Sequence, residues 1–265
     1  MAVNNRNYYS TKTNQQYFSV SQYKNFCKCE AKAMADLNGE YEQTKSPALL
    51  LGSFVDEMLT GTKKSKEKFI EENRTDLFKK NGEPYADIAK AMAAIELIKK
   101  QPLMMKYLSG KHQKIMTGEI AGVPFKIKMD SYKQNEFIAD LKYMASLRSP
   151  NLFESLVKYW NYTAQGAVYQ EIVYQNTGKR LPFFLVIATK ETPAHLEVCE
   201  IKQYDLDDEL ENIKKRVGRF QAIKNGEILP DRCEEYDCAY CTESRILKEP
   251  IDSNLLGMPR TIQQS

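Results

Sequence analysis

The chain has little histidine and no long apolar run. Only His112 and His195 occur among its 265 residues, which argues against mechanisms that need several imidazoles. No segment approaches the ~20 apolar residues that a membrane span needs. The polar N-terminus, MAVNNRNYYSTKTNQQ, lacks the apolar core of a signal peptide. The net charge of +3 is too small to predict nucleic-acid binding, although it does not oppose it. We expect a cytoplasmic protein without membrane contact.

The composition that remains indicates a globular fold. Hydrophobic residues make up 42% and charged residues 28% of the chain, which fits a soluble domain with a real core. We predict a flexible N-terminus at 1–18, a folded domain at 19–245 and a flexible tail at 246–265. Residue patterns predict an α/β fold with a central mixed sheet and helices on both faces. Its predicted helices lie at 19–37, 47–60, 88–108, 152–174 and 205–225, and its predicted strands at 114–120, 122–129, 137–143, 181–189 and 195–204.

The stretch at 122–143 organises this domain. Its alternation of apolar and charged residues predicts two antiparallel strands joined by a turn at 131–135. Asp130 ends the first strand, and Asp140 lies inside the second, on the same strand face as Lys142. Two carboxylates can hold a hard divalent cation, and a neighbouring ammonium can orient a water molecule. The alternative is a hairpin with surface charges.

A third acid interrupts the apolar helix predicted at 47–60. Gly52 lies one turn before Asp56, so there is little bulk around this carboxylate. A buried acid is costly unless it is paired or holds a metal, which makes Asp56 a candidate ligand. Glu57 replaces it if the helix register is shifted by one residue. Both acids could instead mark the solvent side of the helix.

Three cysteines lie close together near the end of the chain, at Cys233, Cys238 and Cys241. In a cytoplasmic protein this spacing indicates a metal site that lacks one ligand. Either Cys27 or Cys29 could complete it and tie the two ends of the domain together.

A further pair, Gln165 and Tyr169, is four residues apart and shares one helix face. By itself the pair is also typical of the border of an amphipathic helix. The order of the signals, with a helix acid, a strand acid, D-x-K at 140–142 and Q-x-x-x-Y at 165–169, resembles the PD-(D/E)XK nuclease superfamily and its RecB-like branch. The resemblance covers 19–245 and is strongest to RecE-like exonucleases of phage and prophage recombination.

This resemblance implies a restriction-endonuclease-like core and a DNA exonuclease that depends on Mg²⁺ or Mn²⁺. The implied metal ligands are Asp56 (in a G-x-x-x-D match to the superfamily's helix motif), Asp130, Asp140 and the Leu141 carbonyl. The implied catalytic residues are Asp130, Asp140, Lys142, Gln165 and Tyr169, the last two facing the active site and the nucleic-acid backbone.

The same resemblance implies attack from 5′ to 3′ on the ends of linear duplex DNA, beside a single-strand annealing protein. Selection of DNA ends favours a closed channel, which predicts a homo-oligomer, and Arg148 is our candidate for binding the terminal 5′ phosphate. In RecB-type and CRISPR-associated nucleases, one early and three late cysteines hold a [4Fe–4S] cluster. That pattern implies Cys27, Cys233, Cys238 and Cys241 here. The spacing of the late cysteines is uncommon in those families, so Zn²⁺ and no metal remain alternatives.

Two other classes of function are open at this point. The chain could be a catalytically silent DNA-binding or assembly module that keeps the nuclease fold. It could also be a cysteine-cluster metal protein whose carboxylates only decorate the surface. The presence of Asp130, Asp140 and Lys142 together argues against the silent module.

Overall fold

The computed structural model describes residues 2–41, 46–233, 238–246, 250 and 252–256. No helix in these ranges is long and apolar enough to cross a membrane. Most of the predicted flexible tail at 246–265 lies outside the described residues. The helices are α1 (Thr11–Gln16), α2 (Val20–Lys28), α3 (Glu30–Asn38), α4 (Pro47–Thr60), α5 (Lys63–Glu72), α6 (Arg74–Leu77), α7 (Ala86–Lys99), α8 (Pro102–Tyr107), α9 (Leu156–Tyr159), α10 (Tyr162–Thr177), α11 (Gln203–Lys224) and α12 (Ala239–Glu243), with a 3₁₀ turn at Ser253–Leu255. The strands are β1 (Lys114–Ile120), β2 (Val123–Met129), β3 (Ser131–Lys133), β4 (Phe137–Met144), β5 (Phe183–Thr189) and β6 (Leu196–Ile201).

A mixed sheet lies at the centre, in the order β3-β4-β5-β6. The two middle strands, β4 and β5, run parallel, and the two outer pairings are antiparallel. A separate antiparallel hairpin is made by β1 and β2. This arrangement confirms the predicted α/β class with a central mixed sheet.

Helices cover both faces of this sheet, and β5 shows why. Leu185 and Ile187 pack into a core shared with α2, α10 and α11. The alternate residues Val186 and Ala188 pack into a second core shared with α4, α7 and α8. A strand buried on both faces has no polar side to show in its sequence, which is why β5 is apolar throughout.

The predicted pairing between the strands at 122–129 and 137–143 is wrong. β2 pairs along its whole length with β1, from Val123 opposite Ile120 to Met129 opposite Lys114. Only the three residues of β3, which follow Asp130, pair with β4. The connecting turn is therefore shorter than predicted, at 134–136. One continuous segment passes from the hairpin to the central sheet, and Asp130 is the residue at the crossing.

Several helix boundaries also differ from the prediction. Cys29 is extended, with φ −165° and ψ 110°, and divides the helix predicted at 19–37 into α2 and α3. The helix predicted at 88–108 is two helices, α7 and α8, and the one predicted at 152–174 is α9 and α10. The long helix α11 begins at Gln203, two residues before its predicted start, and no side chain caps it. The extended conformation of Cys29 matters because it turns this thiol toward the C-terminal part of the chain.

The N-terminal segment, predicted to be flexible at 1–18, packs on the domain. Tyr8 and Phe18 are buried, and the segment contains α1. The ammonium groups of Lys126 and Lys224 donate to main-chain carbonyls of this segment. These two lysines are far away in sequence, so the polar composition of the segment does not reveal its partners.

Candidate active site

The crossing between the hairpin and the sheet places Asp130 beside β4. The main-chain N–H of Leu141 donates to Asp130 Oδ2 at 3.0 Å. Because Leu141 directly follows Asp140, this hydrogen bond holds one acid against the strand that carries the other. On the opposite side, His112 Nδ1 lies 3.0 Å from the main-chain oxygen of Asp130.

Asp140 is buried in β4, with 2% of its surface exposed. Its Oδ1 accepts a hydrogen bond from Gln165 Nε2 at 2.6 Å. Its Oδ2 forms an ion pair with the ammonium of Lys142, two residues along the same strand face. The predicted D-x-K pair and the glutamine of Q-x-x-x-Y therefore meet at one carboxylate.

Asp56 reaches the same site from α4. Gln113 Nε2 donates to Asp56 Oδ2 at 2.8 Å, and Thr60 Oγ1 donates to Oδ1 at 3.2 Å. The side chain of the neighbouring Glu57 extends toward the C-terminal end of α4. Its Oε1 occupies the place that a Cβ atom on Gly61 would take. The structure thus places Asp56 at the site in preference to Glu57.

The three carboxylates affect one another's protonation. Burial, followed by the charges of Asp140 and Asp56, raises the pKa of Asp130 well above its ordinary value. The pKa of Asp56 is raised to about 6. Burial is the main cause, and the charge of Asp140 raises the pKa further, while the hydrogen bond from Thr60 lowers it. For Lys142, burial lowers the pKa of the ammonium, but Asp140 and Asp130 outweigh that effect and leave it raised. Burial and mutual repulsion raise the pKa values of Asp130 and Asp56, so the site favours an additional positive charge.

These donors fit a hard divalent cation such as Mg²⁺ or Mn²⁺, which binds carboxylate oxygens. Among the described residues, the only cluster of three or more His, Cys, Asp or Glu ligand atoms within 4.8 Å of one another is made by cysteines. The structure assigns no role to the carbonyl of Leu141. The main-chain N–H of the same residue donates to Asp130.

Tyr169 lies at the site together with Gln165, as the motif implies. It is 7% exposed, and its hydroxyl donates to the Lys128 carbonyl at 2.9 Å. Burial, followed by the charge of Asp140, raises the pKa of this hydroxyl, and Asp130 and Gln165 also interact with it. Tyr169 therefore fixes the hairpin relative to α10 beside the acids, and its contact with a nucleic-acid backbone stays a prediction.

Several residues around the site were missed by the sequence analysis. Gln113 precedes β1 and has φ 52°, a left-handed conformation that aims its side chain at α4. The Tyr162 ring lies 5.0 Å from Lys142 Nζ and 5.2 Å from Lys24 Nζ. These contacts join segments that are distant in sequence, so no local pattern could have found them. Arg148 is exposed in the loop after β4.

A second cluster contains four thiols from the two ends of the domain. The Sγ atoms of Cys29, Cys233, Cys238 and Cys241 all lie within 4.8 Å of one another. Cys29 and Cys241 are 3.5 Å apart, and Cys233 and Cys238 are 3.6 Å apart. All four are free thiols. A set of four sulfur donors fits Zn²⁺ or an iron–sulfur cluster.

The structure thus selects Cys29, and Cys27 is a correction to the predicted set. Cys27 lies two residues earlier, in α2, packs against the main core and has its Sγ 4.0 Å from Arg216 Nη1. Cys29 reaches the late cysteines because it sits in the extended break after α2. Arg219 reinforces the contact between the two ends by pairing with Glu30 and Asp231, each at 2.7 Å.

A helix acid, a strand acid, D-x-K and a helix glutamine on a mixed sheet together define a PD-(D/E)XK-like domain. The family model described as "PDDEXK-like domain of unknown function (DUF3799)" matches residues 19–244, and the chain belongs to this family. No curated protein matches the chain. A crystal structure of an Eubacterium rectale protein named "Putative exonuclease" is similar, with 41% identity and a TM-score of 0.89, covering 97% of this chain and 99% of that one.

Proposed function

We propose that this protein is a metal-dependent deoxyribonuclease that removes nucleotides from the ends of linear duplex DNA. The observation that carries the proposal is the mutual electrostatic influence of Asp56, Asp130 and Asp140, together with the ion pair between Asp140 and Lys142. The family and the name of the E. rectale protein support hydrolysis of phosphodiester bonds. An intact set of acids argues against a catalytically silent module.

The three carboxylates would hold Mg²⁺ or Mn²⁺, with the Leu141 carbonyl as a further candidate ligand. When bound, such an ion supplies positive charge that polarises a phosphate and lowers the pKa of an attacking water. Lys142 contributes a hydrogen-bond donor at the same place and orients the attacking water or a phosphate oxygen. Gln165 keeps Asp140 in one orientation, and Gln113 does the same for Asp56.

Attack from 5′ to 3′ is the mode that we propose, within phage-type recombination and beside a single-strand annealing protein. This part rests on the resemblance to RecE-like enzymes. Arg148 is the proposed ligand of the terminal 5′ phosphate, because it is exposed in the loop that directly follows the D-x-K strand. A homo-oligomer would build the closed channel that end selection needs.

The cysteine cluster is proposed as a structural metal site. Zn–S bonds of about 2.3 Å place the sulfurs of a tetrahedral site about 3.8 Å apart. The separations of 3.5 and 3.6 Å are close to that value. A [4Fe–4S] cluster inserts four irons and four sulfides between its thiolates, so they must stand farther apart. The geometry therefore favours one Zn²⁺ ion over the iron–sulfur cluster.

The test is a time course on end-labelled DNA in two forms, a covalently closed circle and the same molecule linearised. We expect degradation of the linear form with Mg²⁺ or Mn²⁺, none without added metal, and resistance of the closed circle. Labels at the 5′ and the 3′ end separate the two polarities. Rapid cutting of closed circles would show an endonuclease, and an inert protein in every metal would contradict the proposed activity.

A further inference from the structure

The end of α9 and the short loop before α10 present two aromatic rings to solvent near the candidate active site. Tyr159 is 42% and Trp160 45% exposed, and their ring centres are 5.0 Å apart in an edge-to-face arrangement. Trp160 is the single tryptophan of the chain. Neither ring has a place in the core, so packing does not explain why two large aromatics stand here.

A short series of contacts connects Trp160 to the catalytic carboxylate. Lys142, the ion-pair partner of Asp140, lies 5.0 Å from the centre of the Tyr162 ring. Lys24 approaches the same ring at 5.2 Å, and its Nζ donates to the Trp160 carbonyl at 3.0 Å. The loop is thereby fixed against α2, within a few side chains of the site where a phosphate would be cut.

The turn between the aromatics and α10 is also ordered. Asn161 has φ 49°, a left-handed conformation that asparagine tolerates better than most residues. Its side-chain oxygen accepts from Ala164 N at 3.2 Å and caps α10. Because α10 also carries Gln165, the same helix sets the position of the aromatic loop and of the acid's hydrogen-bond partner.

Lys24 links the aromatic loop to a basic face of α2. Lys24 and Lys28 are one turn apart on α2 and therefore share a face. A cavity of about 440 Å³ near the same loop contains four acids, Glu154, Asp205, Asp208 and Glu209, beside Lys158 and Arg216, and Glu209 also acts on the charge of Lys24. Lys24 lies between the Trp160 carbonyl and the Tyr162 ring, and the same ring contacts Lys142, so Lys24 is the cation that joins the aromatic loop to the candidate active site.

From this juxtaposition we infer that Tyr159 and Trp160 form a stacking platform for unpaired bases of the DNA strand being cut, with Lys24 binding an adjacent phosphate. Aromatic rings bind single strands by stacking on bases, whereas the bases of an intact duplex are already stacked on one another. The inference rests on the proposed nuclease function and adds the element that separates the strand end from its complement.

The single tryptophan allows a test in the unmodified protein, purified with the metal of its cysteine cluster in place. A short oligo(dT) is added without Mg²⁺ or Mn²⁺, so that no DNA is cut. The fluorescence emission of Trp160 and its quenching by acrylamide are then measured. We expect the oligonucleotide to quench the emission and to shield the ring from acrylamide, and a blunt DNA hairpin to do so far less. Unchanged emission and unchanged acrylamide access at saturating oligo(dT) would overturn the inference, without any need for a variant to fold.

Variants give an independent measurement by anisotropy of a labelled oligo(dT). Trp160→Ala should weaken binding by about 5- to 150-fold, the range expected for loss of base stacking. Trp160→Phe, which keeps an aromatic face, should restore most of the affinity. Tyr174→Ala is the matched control, since Tyr174 is 42% exposed near the far end of α10, about 18 Å along the helix from its first residue, Tyr162, at 1.5 Å per residue. Equal affinities of Trp160→Ala and Tyr174→Ala would contradict the platform.

Lys24→Gln should weaken binding and reduce its salt dependence, because one phosphate contact is lost, and Lys24→Arg should recover both. An unchanged salt dependence in Lys24→Gln would remove Lys24 from the inference. Because binding is measured without catalysis, the two proposals can fail separately. If oligo(dT) shields Trp160 in a protein that never cuts DNA, the stacking platform is supported and the proposed nuclease function is contradicted. If the protein cuts DNA but Trp160 is not shielded, the nuclease function is supported and the platform is contradicted.

Discussion

Gln165 Nε2 donates to Asp140 Oδ1 at 2.6 Å, so the second carboxylate of the candidate site is oriented by the glutamine of the Q-x-x-x-Y motif. The other oxygen of the same carboxylate pairs with Lys142. Both oxygens of Asp140 are therefore directed by side chains of this chain, and its orientation depends on residues from two elements.

We predict that Gln165→Ala lowers kcat by about 10–100-fold, the usual cost of removing a group that orients a metal ligand. Metal titrations of activity should show a weaker apparent affinity for Mg²⁺ as well. Gln175→Ala is the control, because Gln175 lies on the same helix and its amide bonds to Glu119 away from the site. Normal kinetics in Gln165→Ala would mean that Asp140 needs no such support.

Asp140→Asn should remove DNA cleavage by several orders of magnitude, because a neutral amide is a poor ligand for Mg²⁺. The fold should stay intact, because the change relieves repulsion among the carboxylates while it removes the ion pair with Lys142, and these two effects on stability oppose each other. Asp130→Asn and Lys142→Ala should also lose most activity. Asp87→Asn, on an exposed acid of α7, is the control. Cleavage by Asp140→Asn at the normal rate would show that the metal assignment is wrong.

The geometry of the cysteine cluster predicts different effects for substitutions of Cys29 and Cys27. Cys29→Ser should lower the melting temperature by about 5–10 °C, which is roughly 2–3 kcal/mol for a domain of this size, and should release the bound metal. Cys27→Ser should retain metal, because its thiol lies outside the cluster. Elemental analysis for zinc, iron and sulfide after anaerobic purification provides the measurement. Metal loss in the Cys27 variant only would reverse the assignment.

Lys224 predicts a particular dependence of stability on pH. Burial, and then the charge of Lys126, lowers the pKa of Lys224 from 10.5 to about 7. Between about pH 7 and pH 10 the unfolded chain therefore binds more protons at this residue than the folded one, so this residue's contribution to stability rises with pH across that window.

Lys224→Met should remove this contribution. Urea denaturation at several pH values should show the unfolding free energy of the wild type improving relative to the variant as pH rises from about 7, with a constant difference below that. Lys126, whose pKa burial lowers to about 8, is present in both proteins, so only its interaction with Lys224 enters the difference between them. Parallel pH curves would indicate that Lys224 stays charged in the folded protein.

The fold could be predicted wherever a residue pattern is local. The apolar run at 181–189 predicted the central strand. Asp130 and Asp140 were recognised because each is an acid at the end of, or inside, an otherwise apolar strand pattern, and Lys142 because it shares a strand face with Asp140. The pairing of β2 was missed because alternation defines a strand but not its partner. The crossing at Asp130 can be recognised only when the partner strands of both β2 and β3 are known.

The parts that could not be predicted depend on contacts between distant segments. Gln113 has no motif, and its role comes from a left-handed backbone that aims it at Asp56. Cys27 and Cys29 are both plausible ligands by spacing, and only the break between α2 and α3 decides between them. The N-terminus has a polar composition, yet Lys126 and Lys224 hold it in place.

The meeting of Cys29 with Cys241 also sets an order of events during synthesis. The two thiols are separated by 212 residues, so this contact cannot form until almost the whole domain has left the ribosome. The carboxylate site needs side chains up to Gln165 and, for the strand opposite Asp140, the chain up to β5. A nascent chain could thus assemble its acids before its two ends are fastened, and a ligand shared by Cys29 and Cys241 would mark the molecules whose synthesis has passed residue 241.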